Sequence, residues 1–182
     1  RITDNRYDDI GSWITETDNL VTVDNRPELA DSGSDSRNYY PDSIAVGEDT
    51  LNIEQKVVNK GPEEAGCFDV TFYLATDPQI ASTYNRLGDS TICSLSPAEE
   101  MTAEWNGIVP VDVSSGEYVV VSSIDQDDAV SEYDEYPNVK TFDQTLTIQP
   151  SSSFNVEITS TNSPVVAGDS LNVTATVENT GD

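Results

Sequence analysis

Short runs in which apolar and polar residues alternate are the dominant pattern of this chain. Residues 51–58 place apolar side chains at nearly every second position, and residues 67–75 do so with Phe68, Val70, Phe72 and Leu74. A period of two is that of a β-strand with one buried face. No segment sustains the 3.6-residue apolar period of a helix. The pattern therefore predicts antiparallel β-structure.

Turn residues divide this pattern into a series of strands. The polar segment 24–40, which contains Pro27 and Gly33, is predicted to be a long loop. Seven strands in about 130 residues are typical of an immunoglobulin-like two-sheet antiparallel sandwich. The predicted strands are residues 20–23, 51–58, 67–75, 87–93, 101–105, 117–124 and 139–148.

A twelve-residue stretch occurs twice. Residues 51–62 align with residues 171–182 at a constant offset of 120, and both copies are strands that end in an Asn-x-Gly turn. Residues 154–182, with strands at 154–159 and 171–177, are therefore predicted to be the incomplete start of a second, similar sandwich. We expect the first sandwich at 18–149, a linker at 150–153, and an N-terminal segment at 1–17 that fits the tail of a preceding unit. The copies differ by an insertion within 24–40, a position where binding surfaces are often built.

The charge of the chain is strongly negative. Thirty-four acidic residues face eight basic ones, of which three are lysines, and there is no histidine, so the formal charge is -26. Low hydrophobicity with such charge can indicate disorder, but 36% apolar residues in patterned runs favour a folded protein. Molar salt shortens the Debye length to roughly 3 Å and screens the self-repulsion. The composition thus predicts a protein of a halophile.

The same charge excludes several partners. No cluster of lysine and arginine is present to neutralise the phosphates of a nucleic acid or an anionic membrane surface. No apolar run reaches the roughly 18–20 residues of a membrane span. Partners are therefore expected among other copies of this chain or among cell-surface proteins.

Cys67 and Cys93 are the only cysteines. In a chain of extracellular character they predict one disulfide that closes a loop of about 26 residues. Two buried free thiols are the alternative. A zinc site is excluded, because two thiols without histidine do not provide a zinc ligand set.

Two long motifs resemble a known family, the CARDB (cell-adhesion-related) domain. Residues 57–77 read VVNKGPEEAGCFDVTFYLATD and resemble the family pattern V-x-N-x-G-x-x-x-A-G-x-F-x-V-x-F-Y-L-S-T-D, and residues 124–138 read IDQDDAVSEYDEYPN and resemble V-D-x-D-N-x-V-x-E-x-N-E-x-N-N. The resemblance implies an immunoglobulin-like sandwich of extracellular or cell-surface proteins, usually in tandem, that serves as a spacer or adhesive module without catalysis. Pro137 and the cysteine pair depart from the family pattern.

The densest group of carboxylates lies in the second motif. Asp125, Asp127, Asp128 and Glu132 could supply several of the oxygens that Ca²⁺ requires. Their spacing is not that of an EF-hand loop. The alternative is a solvated acidic hairpin whose aspartates cap turn amides.

Two further positions are candidate surface sites. Asn172 begins the sole Asn-x-Thr glycosylation triplet, and Tyr39 and Tyr40 lie in the predicted inserted loop, where they could contact a partner. Tyrosines could also stack on sugars, although sandwich cores use aromatic residues routinely.

Catalysis has little support in this sequence. Without histidine there is no Ser-His-Asp or Cys-His arrangement. We therefore expect an extracellular structural or adhesive module of a haloarchaeal cell-surface or filament protein, with no cofactor other than Ca²⁺ considered and with self-assembly by strand addition as one route to a filament. The alternatives are an accessory module of a secreted enzyme and a carbohydrate- or calcium-binding module.

Overall fold

A computed structural model describes the backbone of residues 6–7, 13–17 and 20–24, and residues 25–135, 138–151, 154–161 and 164–180. Within these ranges the regular elements are fifteen strands and two short 3₁₀ turns. The all-β class predicted from the alternation is confirmed. No helix in the described part of the chain is long and apolar enough to cross a bilayer.

The first three strands form a separate antiparallel sheet. They are β1 (Arg6–Tyr7), β2 (Trp13–Thr17) and β3 (Leu20–Asp24). The strand predicted at 20–23 exists, but the prediction that it opens the sandwich is wrong, because β3 pairs with β2 in a register that joins Thr17 to Leu20. A partner this close in sequence costs little loop-closure entropy.

One sheet of the sandwich is built around β7 (Thr50–Asn59). The strand β10 (Glu100–Ile108) pairs with β7 on one side, and β4 (Leu29–Asp31) and β5 (Arg37–Tyr40) pair with it on the other. The predicted loop at 24–40 is thus wrong over these two strands, which flank a 3₁₀ turn at Ser34–Ser36. Runs of three and four residues are too short to show a period of two.

The other sheet has six strands. Its order is β6 (Ser43–Ala45), β13 (Leu146–Gln149), β11 (Gly116–Ile124), β8 (Phe68–Ala75) and β9 (Tyr84–Ile92), and β12 (Asn138–Thr141) also pairs with β11. The strand predicted at 139–148 is therefore two strands. The β6–β13 pair is parallel, which corrects the expectation of wholly antiparallel pairing.

Apolar side chains from both sheets form one core. Leu51, Ile53 and Val57 of β7 are fully buried, while Glu54 and Lys56 between them are exposed, as the alternation predicted. At the β9 and β10 edges the sheets meet where Trp105 packs over Gly88, since a Cβ at Gly88 would lie 2.4 Å from the indole nitrogen. The core also includes Phe68, Val70, Phe72, Leu74, Val120, Phe142, Leu146 and Ile148.

The last two strands repeat the pairing of the first sandwich. In a two-stranded antiparallel sheet, β14 (Phe154–Thr161) pairs with β15 (Val173–Asn179). Phe154 opposes Asn179 as Leu29 opposes Asn59, and Ile158 opposes Ala175 as Arg37 opposes Gln55. The two pairing positions are four residues apart in β14, from 154 to 158, but the corresponding positions 29 and 37 are eight residues apart. The four additional residues between positions 29 and 37 therefore lie around the 3₁₀ turn. Unlike those of β7, the side chains of β15 are all exposed.

Candidate binding site at one end of the sandwich

The loop that follows β11 is organised by Asp125. Its amide donates to the carbonyl oxygen of Asp69 at 2.8 Å, and its carboxylate oxygens accept from the amides of Ala129 and Val130 at 2.9 Å each. Asp125 is 6% exposed and has a φ of 48°, a left-handed conformation that aspartate tolerates. Asp125 therefore caps the turn, which is the role that the alternative reading of the motif gave it.

Glu132 lies beneath the same loop. Its side chain is 2% exposed and accepts a hydrogen bond from the amide of Leu29 in β4. Burial is the main reason that the pKa of Glu132 rises to about 8, and the nearby carboxylates of Glu28, Asp125 and Glu135 raise it further. The acidic loop thus contains a carboxyl group that keeps its proton at neutral pH.

Two further hydrogen bonds tie this loop to the chain that enters β4. The amide of Asp134 donates to Glu28 Oε2 at 3.1 Å, and the amide of Tyr133 donates to the carbonyl oxygen of Pro27 at 3.4 Å. The guanidinium of Arg26 lies 5.9 Å from the centroid of the Tyr133 ring. Partial burial raises the pKa of Glu28. Residues 26–29 and 132–134 therefore form a clasp between segments about a hundred residues apart.

The four candidate calcium ligands do not form one metal-ligand set. Asp125 is engaged by turn amides and Glu132 by Leu29, whereas Asp127 and Asp128 are exposed. Across the described ranges, no three or more His, Cys, Asp or Glu side chains are grouped so that they could hold a metal ion. The arrangement matches a capped acidic hairpin.

A cavity of about 480 Å³ opens between this loop and strands β8, β9 and β11. The rings of Tyr73 and Tyr84 form part of its wall with centroids 5.5 Å apart. The Tyr73 hydroxyl donates to Gln126 Oε1, and the Tyr84 hydroxyl donates to the carbonyl oxygen of Pro78 at 2.8 Å. The other described residues that line the cavity are Ala81, Ser123, Ile124, Asp125, Gln126, Asp128, Glu132, Glu135 and Val139. Sequence reasoning did not single out these two tyrosines, because alternation cannot separate a cavity wall from a sheet face.

Tyr39 and Tyr40, the predicted contact residues, lie in different environments. Tyr39 is 5% exposed and its ring lies 6.3 Å from that of Phe142, so Tyr39 is a core residue rather than a contact residue. Burial raises the pKa of Tyr39 to about 12. Tyr40 is 72% exposed and keeps its candidate role.

The predicted disulfide between Cys67 and Cys93 is confirmed. The two cysteines lie next to the paired residues Phe68 and Ile92, at the end of the β8–β9 ladder. Asn172 is exposed and immediately precedes β15.

The Asn-x-Gly turn after β7 is held by a buried amide. Asn59 is fully buried, its Oδ1 accepts from the amides of Glu28 and Gly61, and its Nδ2 donates to the carbonyl oxygens of Glu63 and Leu95. A Cβ at Gly61 would lie 2.5 Å from the carbonyl oxygen of Arg26. The Asn-x-Gly turn therefore contacts residues 26–29, the same segment that residues 132–134 bind in the clasp.

The chain is similar to one known domain family and to several solved structures. The family model of the CARDB domain matches residues 35–142. The CARDB domain of a Pyrococcus furiosus protein, solved in complex with di-metal ions, is 22% identical, with 68% of this chain and 90% of that chain covered and a TM-score of 0.47. A domain of a proposed cell surface protein of Methanosarcina acetivorans is 16% identical, with coverages of 68% and 93% and a TM-score of 0.46. A β-glucosidase of Erythrobacter marinus is 18% identical over 68% of this chain but 16% of that enzyme, with a TM-score of 0.44. The search of curated proteins gives no match.

Proposed function

The chain belongs to the CARDB family, a family of cell-surface-associated domains, and we propose that it serves as an extracellular structural or adhesive module. The observation that carries this proposal is the family match over residues 35–142, which runs from β5 to β12 and includes most of both sheets. The disulfide fits this location, because disulfides persist in oxidising, extracellular environments.

The proposed module has no catalytic activity of its own. The sequence contains no histidine, so the common nucleophile–histidine arrangements cannot be assembled from this chain. Its proposed role rests instead on a packed core that holds two sheets together. Its proposed partners are other copies of the chain or other cell-surface proteins.

We propose that residues 154–182 are the start of a second, similar unit. The support is the shared register of β14–β15 and of β4/β5–β7. Phe154, Val156 and Ile158 are each more than half exposed on one face of β14. In the first copy the corresponding face is covered by the six-stranded sheet, so we propose that a similar sheet covers it in a tandem array.

The halophilic archaeal origin is likewise proposed from composition. A formal charge of -26 with three lysines suits a solvent in which self-repulsion is screened.

Surface labelling of the source organism tests the proposed role. An antibody against the sandwich should label intact cells, and deletion of the gene should reduce cell–cell or cell–surface attachment that the full-length gene restores. Secreted glycosidase activity should not change in the deletion strain. Labelling that requires permeabilised cells would overturn the proposal, and loss of a secreted hydrolase activity with normal attachment would replace it with an accessory enzyme module.

A further inference from the structure

The cavity beside the acidic loop has the size and the preformed walls of a small-molecule site. Its volume of about 480 Å³ falls within the range typical of such sites. The rings of Tyr73 and Tyr84 contact one another, and each hydroxyl is tied down by its own hydrogen bond. A ligand therefore need not order these two rings, which lowers the entropic cost of binding.

The charge of the residues that line the cavity favours a cationic ligand. Asp125, Asp128, Glu132 and Glu135 contribute carboxyl groups, and no Lys or Arg is among the described residues that line the cavity. An anion would be repelled, and a neutral ligand would gain only from the rings. An organic cation would gain from the carboxylates and from cation–π contact.

The apolar part of the wall distinguishes an organic cation from a metal ion. Tyr73, Tyr84, Ile124 and Val139 offer ring and alkyl carbons, which are not ligands for a hard cation. A quaternary ammonium group spreads its charge over methyl groups, and aromatic walls are a known means of recognising it. We propose that this cavity binds a small alkylammonium cation, with Tyr73 and Tyr84 against its methyl groups and Asp128 and Glu135 holding its charge.

Binding of the cation should be linked to the ionisation of Glu132. Glu28, Asp125 and Glu135 face Glu132 from the clasp and the loop, and the Leu29 amide donates to it. With a pKa of about 8, Glu132 is mostly protonated at pH 7, and a nearby cation favours its ionised form. Binding at pH 7 should therefore release part of a proton, and affinity should increase between pH 6 and pH 9.

Calorimetric titration of the 182-residue chain with choline tests the proposal. Its neutral carbon isostere, 3,3-dimethylbutan-1-ol, has nearly the same shape, so it measures the contribution of the charge alone. Ionic strength is held constant with NaCl. Choline should bind with an affinity at least about tenfold higher than that of the isostere. Side-chain NMR shifts of Tyr73 and Tyr84 should move on titration, whereas those of the exposed Tyr40 should not.

Four variants, one of them a control, assign the contributions of the ring and of Glu132. Tyr84→Leu should weaken choline binding about fivefold or more. Tyr84→Phe keeps the ring but loses the hydrogen bond to Pro78, so it should bind within about twofold of the wild type and more tightly than Tyr84→Leu. Tyr40→Leu serves as the matched control away from the cavity. Glu132→Gln should still bind choline but without the pH dependence, because glutamine can still accept from Leu29. Thermal melting of each variant confirms that it is folded.

Three outcomes would overturn the proposed site, and a fourth would overturn its proton coupling. Equal affinity for choline and its isostere would remove the role of charge. Identical binding by Tyr84→Leu and Tyr84→Phe would remove the role of the ring. No heat and no tyrosine shift with tens of millimolar choline would remove the site. An unchanged pH dependence in Glu132→Gln would overturn the proton coupling.

Discussion

At the scale of single residues, two buried polar side chains connect segments that are distant in sequence. Asn59 joins the end of β7 to residues 28, 63 and 95 through its amide group. Glu132 joins the acidic loop to Leu29. Buried polar groups are costly unless they are hydrogen-bonded, so the geometry of this end of the sandwich depends on both.

Replacing Asn59 with alanine should destabilise the sandwich by about 3 kcal/mol, because several buried donors and acceptors lose their partner at once. Urea unfolding followed by circular dichroism measures this change. The matched control is Asn179→Ala at the equivalent position of the repeat, which is exposed and should cost less than about 0.5 kcal/mol. Equal losses in the two variants would contradict the role of Asn59.

Glu132 predicts a specific dependence of stability on pH. Its pKa rises from 4.5 in the unfolded chain to about 8 in the fold, so the native state holds a proton that the unfolded state releases. Its stabilisation is therefore complete below pH 4.5 and is lost progressively as the pH rises through 8. The free energy of unfolding of Glu132→Gln, relative to that of the wild type, should therefore increase by about 2–4 kcal/mol between pH 5 and pH 8.5.

Chemical denaturation at several pH values measures this difference. Glu117→Gln, on an exposed side chain of β11, is the control and should show no growing difference. A constant difference between wild type and Glu132→Gln across this pH range would show that Glu132 keeps its ordinary pKa in the fold.

At the scale of elements, how well the sequence predicts the fold depends on the length of the alternating runs. Strands β7 and β8 have ten and eight residues, long enough for the apolar alternation to be evident, and both were predicted nearly at their observed bounds. Strands β4, β5 and β6 have three or four residues and exist because a distant partner supplies their hydrogen bonds. The cavity escaped prediction for the same reason, since Tyr73 and Tyr84 meet only through the β8–β9 pairing.

The disulfide should stabilise the β8–β9 pair by constraining the unfolded chain. Its sequence separation of 26 corresponds to about 3 kcal/mol of loop-closure entropy. The double variant Cys67→Ala/Cys93→Ala should lose this amount in urea unfolding. Reduction of the wild type with dithiothreitol should match the variant, and a wild type that unfolds identically before and after reduction would contradict the prediction.

At the scale of the whole molecule, the excess of acidic residues places like charges next to one another. Glu54 of β7 and Glu104 of β10 lie directly opposite one another on exposed positions of neighbouring strands. Like charges across a ladder are destabilising, and salt weakens their repulsion. The formal charge of -26 therefore destabilises the fold through close pairs of acidic side chains as well as through long-range repulsion.

This arrangement predicts a steep dependence of stability on salt. The melting temperature should climb between about 0.1 M and 2 M NaCl, because the Debye length shortens from about 10 Å to below 3 Å. Glu104→Gln should raise the melting temperature at 0.1 M and have a smaller effect at 2 M, because it removes the repulsion across the β7–β10 ladder. Glu157→Gln is the matched control, since Glu157 faces Thr176 rather than an acid. A melting temperature that does not change with NaCl would remove the case for a halophile's protein. Equal effects of the two variants at low salt would show that the repulsion is diffuse.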